Sequence, residues 1–440
     1  MRTEDELRKM LSDAAQRAAG PSPDARARVG RVVRRQRAWR VGAVAGVAIA
    51  LAAFGIVTIT RPDHRATVRV ISPGPTPSPS AVPGPEPDTG VSSPTVAGAD
   101  VPAGFSAVSV TFVSPKDGFV LGSARCATGP CTAVLRTGDA GKTWHRIGAP
   151  VASVLATGPA PQAISRIRFA TVNDGWAFGP ELWATHDGGG TWTSVGLGGA
   201  AAGQVLDLEA SAGTVHLVTI RPAGDQYRYE IWSSGVGRDD WYRAATTFPH
   251  GAAPVQDARF VLHGTDGWLV INERVVYAGA MLHQRTWSRW TPPCADLGGP
   301  ATATAPTSKD VVAVCQEGQW GGSGPPQTRL HVSTDGGATF ARVGPDLPEV
   351  SSSPASPTPQ TIAITSVVDG VPEIRASFDG GQTWAAVYRG PSNDFVSELG
   401  FTTATQGIAV VAGPNGSSGA LIMTTDSGHH WRTVPFRSSG

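Results

Sequence analysis

The sequence predicts an all-β fold, a seven-bladed β-propeller, preceded by one transmembrane helix and a Pro-rich linker. Composition supports short strands joined by turns, because 54 Gly and 36 Pro among 440 residues exclude a long helical bundle. The 40% hydrophobic content and 13 Trp argue against a disordered chain. A short phrase built around Asp, Gly and Trp recurs along the last three quarters of the chain, and twenty consecutive residues near the N-terminus carry no charge.

The uncharged run extends from Val41 to Thr60 and predicts a transmembrane helix. Twenty helical residues span roughly 30 Å, the thickness of the hydrocarbon core of a bilayer. A cleaved signal peptide is the alternative, but its basic region would be about forty residues long and no A-x-A cleavage site follows. The run therefore predicts an uncleaved membrane anchor.

The charges beside the run predict its orientation. Residues 1–40 carry 11 Lys or Arg against 5 Asp or Glu, whereas only Arg61, Arg65 and Arg69 follow the run before the linker. The positive-inside rule predicts a cytoplasmic basic helical segment at 1–40 and an extracytoplasmic remainder, as in a single-pass protein of the cell membrane. Because the whole chain has a net charge of only +1, no nucleic-acid partner is predicted.

Residues 61–103 are predicted to form a linker. Nine of the 32 residues from 72 to 103 are Pro, with Ser, Thr and Gly between them. Such a segment cannot bury a core and is predicted to be an extended, semi-rigid spacer. At about 3.1 Å per residue, it could hold the next domain up to roughly 100 Å from the bilayer.

The recurring phrase has the pattern [ST]-x-D-x-G-x-x-[WF] and occurs five times. Its copies are TGDAGKTW at 137–144, THDGGGTW at 185–192, STDGGATF at 333–340, SFDGGQTW at 377–384 and TTDSGHHW at 424–431. Trp241 and Trp290 fall almost in phase within the long gap, so that the successive spacings are 48, 49, 49, 50, 44 and 47 residues. The phrases around these two Trp have lost the Asp and Gly and are interpreted as degenerate copies.

A second signal supports seven repeats, because Asp-Gly pairs at 117–118, 174–175 and 266–267 follow alternating apolar stretches, as hairpin turns do. The second repeat reads as four strands, ISRIRFA, GWAFG, ELWAT and TWTSV, which is the content of one propeller blade. Seven such blades account for the residues from Phe105 to Phe436, and the propeller is predicted over 104–437. The ring could close by packing alone, or residues 66–71 could return as an extra edge strand.

The five phrases resemble the Asp-box, or BNR, repeats of the sialidase-like β-propellers. In such a turn the Asp accepts backbone N–H bonds, the Gly allows positive φ and the aromatic residue is buried. The resemblance implies that the boxes lie at the blade periphery, so a structural role is predicted in preference to ligand or metal binding. The residues in this role are Asp139, Trp144, Asp187, Trp192, Asp335, Phe340, Asp379, Trp384, Asp426 and Trp431.

The four cysteines all follow the predicted anchor, where an oxidising exterior favours disulfides. Cys126 and Cys131 bracket a short loop and could form a bridge at a hairpin tip. Cys294 and Cys315 fall in the fifth repeat and could pair across it, with free buried thiols as the alternative. A zinc site is not predicted, because the two pairs fall in different blades and no His lies at ligand spacing.

The sialidase resemblance makes an exo-glycosidase the first enzyme to consider. The F/Y-R-I-P motif of that family is absent, since its nearest match, Ser-Arg-Ile-Arg at 165–168, lacks the Pro. Tyr227 and Tyr229 are the only Tyr close to a Glu, namely Glu230. A glycosidase needs two carboxylates across a cleft, and the sequence cannot pair its candidates, which are Asp207, Glu209, Asp225, Asp257 and Glu273. No catalytic, cofactor-binding or metal-binding residue is therefore predicted.

Repeats that combine D-G-W/F-x-x-G with an Asp box resemble the propellers related to photosystem II assembly factors, over 105–436. This resemblance implies partner binding without a catalytic centre. The favoured interpretation is a membrane-anchored, extracytoplasmic, non-catalytic binding or scaffold module for an envelope protein or glycan. A surface glycoside hydrolase of the sialidase type is the alternative, and signalling through residues 1–22 is a third. The segments 221–230 and 320–326 are candidate partner surfaces.

Overall fold

The computed structural model describes residues 99–127, 129–154, 163–197, 203–224, 226–250, 257–272, 278–294, 301–317, 327–348, 350, 354–414 and 418–438. These residues belong to one compact unit, Ser92–Gly440. The predicted cytoplasmic segment, membrane anchor and most of the linker lie outside the described residues. Within the described ranges, no helix is long and apolar enough to cross a membrane.

Seven antiparallel sheets follow one another along the chain, and each is built from consecutive strands. Blade 1 contains β1 (Ser106–Phe112), β2 (Gly118–Cys126), β3 (Gly129–Thr137) and β4 (His145–Ile147). A short parallel pair, β5 (Ser153–Val154) and β6 (Ala163–Ile164), leads to blade 2, which contains β7 (Arg166–Phe169), β8 (Gly175–Phe178), β9 (Leu182–Thr185) and β10 (Thr193–Ser194). Blade 3 contains β11 (Gln204–Ser211), β12 (Thr214–Ala223), β13 (Gln226–Gly235) and β14 (Tyr242–His250).

The remaining four blades repeat this arrangement, with one exception in blade 6. Blade 4 contains β15 (Asp257–His263), β16 (Asp266–Asn272), β17 (Ala278–His283) and β18 (Thr286–Trp290). Blade 5 contains β19 (Ala301–Thr304), β20 (Val311–Glu317), β21 (Gln327–Ser333) and β22 (Ala341–Leu347). Blade 6 contains β23 (Ile362–Val368), β24 (Val371–Ser377) and β25 (Ala385–Arg389), and blade 7 contains β26 (Phe395–Phe401), β27 (Gly407–Ala412), β28 (Gly419–Thr424) and β29 (Arg432–Val434). The predicted all-β, seven-bladed propeller is confirmed.

Blade 6 lacks a regular first strand, and an irregular segment takes its place. Ala355 and Ala363 exchange both backbone hydrogen bonds, at 2.8 and 2.9 Å, and Val350 forms an isolated bridge to Ser366. The residues on either side of this pairing include Pro354 and Pro357, which have no N–H to donate. A continuous ladder therefore cannot form here, although the segment still covers the inner edge of the blade.

Blade 7 meets blade 1 through packing and hydrogen bonds where the ring closes. Among the described residues, the strands of blade 7 come from the C-terminal part of the chain, and those of blade 1 from residues 106–147. Leu135 and Trp144 of blade 1 share one buried cluster with Val410 and Leu421 of blade 7. The Trp144 N–H donates to the carbonyl of residue 437 at 2.8 Å, and the alternative edge strand at 66–71 lies outside the described residues.

The five Asp boxes share one set of hydrogen bonds. At each box, one Asp oxygen accepts the hydroxyl of the Thr or Ser two residues earlier at 2.7–2.9 Å and the backbone N–H four residues later at 2.9–3.0 Å. The second oxygen accepts a Thr hydroxyl at 2.6–2.8 Å in four boxes and contacts the His430 ring at 2.7 Å in the fifth. In four boxes one N–H donates to the turn between the first two strands of its own blade, as Gly188 does to the Asn173 carbonyl, and in blade 6 Gly380 donates to the Gln360 carbonyl just before β23. Each box thus ties two turns together at one end of its blade.

Asp379→Ala should lower the melting temperature by a few degrees at pH 7, because three hydrogen bonds within the box are lost. Bonds from the Thr383 hydroxyl and amide and from Ser377 lower the pKa of Asp379 to about 2. The folded-state pKa lies below the unfolded value, so this stabilisation is present above about pH 4 and is lost as the pH falls toward 2. Melting curves of wild type and variant, recorded at pH 7 and pH 2, should therefore converge at the acidic pH.

Asp346→Ala is the matched control, since the Asp346 carboxylate is 52% exposed and pairs with Arg342 at 2.7 Å and more loosely with Arg329 at 3.6 Å. It should leave the melting temperature almost unchanged. Loss of ligand binding by Asp379→Ala at an unchanged melting temperature would contradict the structural role of the box.

The two degenerate boxes differ from one another. Before Trp241, Ser234 donates its hydroxyl to Asp240 at 2.7 Å, which preserves part of the box. In blade 4, Gln284 and Arg285 both have positive φ and form a two-residue hairpin turn, so the expected box before Trp290 is wrong and that Trp ends β18. Without the Asp and Gly, the hydrogen bonds and the positive φ that stabilise the longer box turn are missing, and a tight two-residue turn forms instead.

Trp290 instead supports the box of blade 5. Its indole N–H donates to the Gly337 carbonyl at 2.8 Å, and the Trp268 indole donates to the Gly336 carbonyl at 3.1 Å. In three other boxes the box's own Trp donates to its own Gly carbonyl, as Trp144 does. Phe340 has no such donor, and the two Trp of blade 4 supply the missing hydrogen bonds.

The four cysteines form two disulfides in the structure. Cys126 and Cys131 are joined at the tip of the β2–β3 hairpin, with their Cα atoms 5.9 Å apart. Cys294 and Cys315 are both fully buried and are joined with their Cα atoms 5.4 Å apart, linking the segment after β18 to β20. The second bridge therefore connects blade 4 to blade 5.

Candidate functional site in the central channel

A cavity of about 920 Å³ runs along the propeller axis, and residues from all seven blades line it. The lining residues lie mainly on the first strands and in the segments that follow them. Its wall carries four charged residues from blades 2 and 3 and one each from blades 4 and 7. None of the ten predicted Asp-box residues belongs to this lining.

Blades 2 and 3 contribute two parallel ion pairs. Arg166 Nη1 lies 2.8 Å from Asp207 Oδ1, and Arg168 Nε lies 2.6 Å from Glu209 Oε1. Residues two apart on a strand point to the same side, so the Arg-x-Arg of β7 meets the Asp-x-Glu of β11 in register. The two strands thereby present an array of alternating charge to the channel.

Glu398 of blade 7 extends this charged array on the side of blade 2 away from blade 3. It accepts the Ser109 hydroxyl at 2.8 Å and the Val110 N–H at 2.9 Å, both from blade 1, and lies 3.8 Å from Arg168 Nη1 in blade 2. One carboxylate thus contacts two further blades. Burial opposes protonation of Arg168, but Glu209 and Glu398 together raise the pKa of its guanidinium.

Blade 4 adds an ion pair within one strand. Arg259 Nε lies 3.0 Å from Asp257 Oδ1, and Arg259 Nη1 lies 3.9 Å from Asp207 Oδ1. The side chain of Asp257 is 34% exposed. Its partial burial raises its pKa, the nearby charge of Arg166 lowers it and that of Asp207 raises it. Burial also raises the pKa of Glu209, against the attraction of Arg168.

Bulges in three first strands aim these side chains. The strand register shifts just before Ser109, Asp207 and Glu398. Each of these side chains then accepts a backbone N–H from the first strand of the next blade, namely that of Ile167 at 3.1 Å, Phe260 at 2.7 Å and Val110 at 2.9 Å. A bulge changes the direction in which a strand side chain points. The three bulges therefore both join neighbouring blades through these hydrogen bonds and orient the channel charges.

The wall formed by blades 5 and 6 is different in character. It consists of small uncharged residues, at 303–306 (Ala-Thr-Ala-Pro) and 354–357 (Pro-Ala-Ser-Pro). In a ring of seven, blades 5 and 6 stand opposite blade 2. The channel therefore has a charged side centred on Arg166 and Arg168 and a smooth side of Ala, Pro, Ser and Thr.

The structure places some of the sequence-based candidate residues at the channel and others away from it. Tyr229 is fully buried on β13, the third strand of blade 3, and Glu230 beside it pairs with Arg221 at 3.0 Å, so this Tyr–Glu pair does not reach the channel. Asp207 and Glu209 line the channel and Asp257 contacts it through Arg259, whereas Asp225 and Glu273 lie outside the described residues. The candidate segment 221–230 spans the tips of the long strands β12 and β13, and the segment 320–326 lies entirely outside the described residues.

Sequence reasoning missed the roles of Arg259 and Glu398. Charged residues that alternate with buried apolar ones on a first strand are the signal that could have found them. The Ser-Arg-Ile-Arg string at 165–168, set aside for its missing Pro, supplies two channel arginines. Across the described ranges, no group of three or more His, Cys, Asp or Glu is placed to hold a metal ion.

Neither a protein-family model nor a curated protein matches this chain. Solved structures do resemble it. YCF48 from Cyanidioschyzon merolae is 15% identical, with a TM-score of 0.48 over 75% of this chain and 98% of that one. A structure of YCF48 bound to a D1 peptide is 16% identical, with a TM-score of 0.48 over 74% and 95%. The structural neighbours thus include the photosystem II assembly-factor propellers that the repeats resemble.

A puromycin-hydrolyzing peptidase of Mycobacterium tuberculosis is also similar, with 11% identity and a TM-score of 0.54. The match covers 78% of this chain and 57% of the peptidase. At this identity the likeness concerns the fold alone. Neighbours of binding and of enzymatic type are thus both represented among similar folds.

Proposed function

We propose that this protein is a membrane-anchored, extracytoplasmic binding module whose central channel takes an acidic peptide segment of an envelope protein. One observation carries the proposal: the arginines of the channel have hydrogen-bond donors to spare, whereas its most buried carboxylates have their oxygens engaged. A site of this kind selects a ligand that brings additional acceptors.

The donor surplus follows from the contacts of each group. Arg166 uses one N–H on Asp207, Arg259 uses Nε on Asp257, and Arg168 uses two, one on Glu209 and one on the residue 167 carbonyl. A guanidinium has more N–H donors than these contacts occupy, and the three side chains are 18–28% exposed to the channel. The remaining donors are available to a ligand.

The carboxylates leave fewer sites for a cationic ligand. Both oxygens of Asp207 are engaged, one by Arg166 and one by the Phe260 N–H, and its side chain is only 3% exposed. Both oxygens of Glu398 are engaged by blade 1. The opposite wall of Ala and Pro allows close approach of a peptide backbone. Among the described residues of the lining, Phe260, Phe401 and His263 are the aromatic rings. A peptide is therefore favoured over a glycan.

Binding can be measured by fluorescence anisotropy with full-length protein in detergent and a rhodamine-labelled peptide of alternating Glu and Gly. Wild type should bind this peptide and not its Lys and Gly counterpart. Arg168→Gln should weaken binding about tenfold, the effect of losing one charge-assisted contact. Glu209→Gln, the matched control at the other end of the same ion pair, should tighten binding because it releases Arg168 Nε.

Equal affinity for the acidic and basic peptides, or weaker binding by Glu209→Gln, would overturn the proposed function. Circular dichroism and thermal melting of both variants establish that each one folds before its binding is compared.

Anchoring and orientation form part of the same proposal. The uncharged run from Val41 to Thr60, with its basic N-terminal flank, supports a single-pass anchor with the propeller outside. The buried disulfide between Cys294 and Cys315 agrees with an oxidising exterior. Deleting residues 41–60 should release the protein from the membrane fraction, and protease added to intact cells should digest the propeller of the undeleted protein.

A surface glycoside hydrolase is the second candidate, and Asp257 favours it. A carboxyl whose pKa is raised beside a channel can act as a general acid, and Asp207 shares Arg259 with it. Release of methylumbelliferone from a panel of aryl glycosides tests this activity. Turnover that disappears in Asp257→Asn would favour the enzyme, and no turnover on any glycoside of the panel would remove its support.

A further inference from the structure

We propose that His186 is a pH-sensitive latch between blades 2 and 3, in which a doubly protonated ring joins Asp174 of blade 2 to Asp239 of blade 3 and loss of one proton weakens the contact. None of these three residues lines the channel, so the inference is independent of the proposed function. Its basis is that both nitrogens of one imidazole contact carboxylates, and that these carboxylates come from different blades.

His186 is the second residue of the blade 2 box, and its ring lies between two turns. Its Nδ1 lies 3.0 Å from Asp174 Oδ1, in the turn between β7 and β8. Its Nε2 lies 2.9 Å from Asp239 Oδ2, in the turn between β13 and β14. The second residues of the other four boxes are Gly, Thr, Phe and Thr, so blade 2 has the one box in which this position can titrate.

These two contacts require the ring to carry two protons. An ionised Asp offers only acceptors, so each contact needs an N–H from the ring. A neutral imidazole has a single N–H, and the lone pair of its other nitrogen would face a carboxylate oxygen. Partial burial lowers the pKa of His186, but the hydrogen bonds to Asp239 and Asp174 outweigh this effect and raise the pKa above its usual value. The imidazolium therefore fits the geometry, and the neutral ring does not.

Each carboxylate has its other oxygen engaged elsewhere. Asp174 Oδ2 accepts the Thr171 hydroxyl at 2.8 Å, and Asp239 Oδ1 accepts the Trp176 indole N–H at 3.5 Å. The bond from Trp176 is long and comes from a neutral donor, so it is weaker than a charge-assisted bond from His186. The ring is thus the main polar link between Asp239 and blade 2.

Other charged residues surround the ring without pairing with it. They are Asp187 of the same box, Arg136 of blade 1 beside Gly188, and Arg238 and Asp240 on either side of Asp239. Asp187 is engaged by the hydroxyls of its own box, and Asp240 accepts the Ser234 hydroxyl at 2.7 Å. The charges that act on His186 are therefore those of Asp239 and Asp174.

The β13–β14 turn depends on this latch because its own box is degenerate. Among the described residues, the Trp241 indole N–H has no hydrogen-bond acceptor, whereas that of Trp144 donates within its box. Gly237 has a φ of 77° and lies so close to blade 2 that an added Cβ would be 3.0 Å from Asp174 Oδ1. The turn thus packs directly on blade 2, with few bonds of its own to keep it there.

The direction of the pH effect follows from the raised pKa of His186. Below about pH 6.5, the usual pKa of His, the ring is protonated whether the turn is docked or released, and the latch contributes fully. As the pH rises through the higher pKa of the docked form, the proton is lost and one carboxylate loses its donor. Two negative charges then remain on either side of a neutral ring, so the turn opens more often in alkaline than in mildly acidic solution.

Two hydrogen–deuterium exchange measurements by mass spectrometry, on full-length protein in detergent, test the latch. Exchange at the imidazole carbon Cε1 gives the pKa of His186, which should lie above about 6.5 in wild type and fall toward it in Asp239→Asn. Amide exchange across 235–241, corrected for the intrinsic rate, should be about fivefold faster at pH 8.5 than at pH 6 in wild type, as expected for a partly exposed ion pair. His186→Gln should exchange at the faster rate at both pH values.

His283→Gln is the matched control. His283 Nδ1 contacts one carboxylate, that of Asp266, at 2.8 Å, so the neutral tautomer with a proton on Nδ1 suffices and no second proton is needed. This variant should keep the pH dependence of 235–241 seen in wild type.

The pKa of His186 is measured in wild type and decides the question even if a variant fails to fold. A value at or below about 6.5, a pH dependence of 235–241 that survives in His186→Gln, or one that disappears in His283→Gln would overturn the inference. Each of these results leaves the proposed binding of an acidic peptide in the channel unaffected.

Discussion

Trp144→Ala should lower the free energy of unfolding by about 4 kcal/mol, the cost typical of removing a large aromatic side chain from a core. Trp144 is fully buried, packs edge-on against Phe112 and Phe436, and donates its indole N–H to the Gly141 carbonyl at 3.2 Å. It belongs to the cluster that joins blade 1 to blade 7. The variant therefore loses both the support of its own box and packing across the ring closure. Urea unfolding followed by circular dichroism measures the effect.

Two further variants separate these contributions. Trp144→Phe keeps most of the apolar area and loses the indole hydrogen bond, so it should cost about 1–2 kcal/mol. Trp384→Ala removes the equivalent Trp of blade 6, which is only partly buried and lies away from the ring closure. A loss as large for Trp384→Ala as for Trp144→Ala would show that closure between blades 7 and 1 adds nothing special.

Glu398→Ala should lower the free energy of unfolding by about 3 kcal/mol, because it leaves two buried donors without an acceptor. The Val110 N–H and the Ser109 hydroxyl both lose their partner, and Ser109 is fully buried. Arg168 also loses a carboxylate 3.8 Å away. Since these partners lie in blades 1 and 2, the change weakens the inner side of the ring where its two ends meet. Urea titration gives the free energy.

A double-mutant cycle with Ser109→Ala isolates the contact between blades. The coupling between Glu398 and Ser109 should be about 1–2 kcal/mol, as expected for a buried hydrogen bond to a charged group. Glu373→Ala offers a comparison within one blade, because Glu373 is 2% exposed and pairs with Arg375 and Arg389 of blade 6. A coupling energy near zero would mean that Glu398 does not hold blades 7 and 1 together.

The blade count could be predicted because its signals are local. Each box is an eight-residue turn closed by hydrogen bonds within it, such as the one from the Thr191 hydroxyl to Asp187 at 2.8 Å. The spacing of 44–50 residues between these aromatic residues then equals the number of residues in one blade. At Trp290 the spacing persists although a two-residue turn has replaced the box, because period alone does not specify turn geometry.

The candidate site could not be predicted in the same way. Arg168 and Glu398 are 230 residues apart, yet their side chains lie 3.8 Å from one another across blade 1. Charged residues on a strand are compatible with a solvated face, and only the closed ring turns the innermost segments of all seven blades toward a common axis. The bulges before Asp207 and Glu398, which aim these side chains at the next blade, also leave no clear mark in the sequence.

By itself the sequence determined the all-β class, the seven blades and the five box turns, since each depends on residues close together in the chain. The tertiary structure decided how the ring closes, which carboxylates face the channel and which of them share a guanidinium. The physical reason is that strand pairing within a blade is short-range, whereas the channel exists only where blades far apart in sequence meet. Its chemistry therefore depends on contacts such as Arg259 with Asp207, which no periodicity encodes.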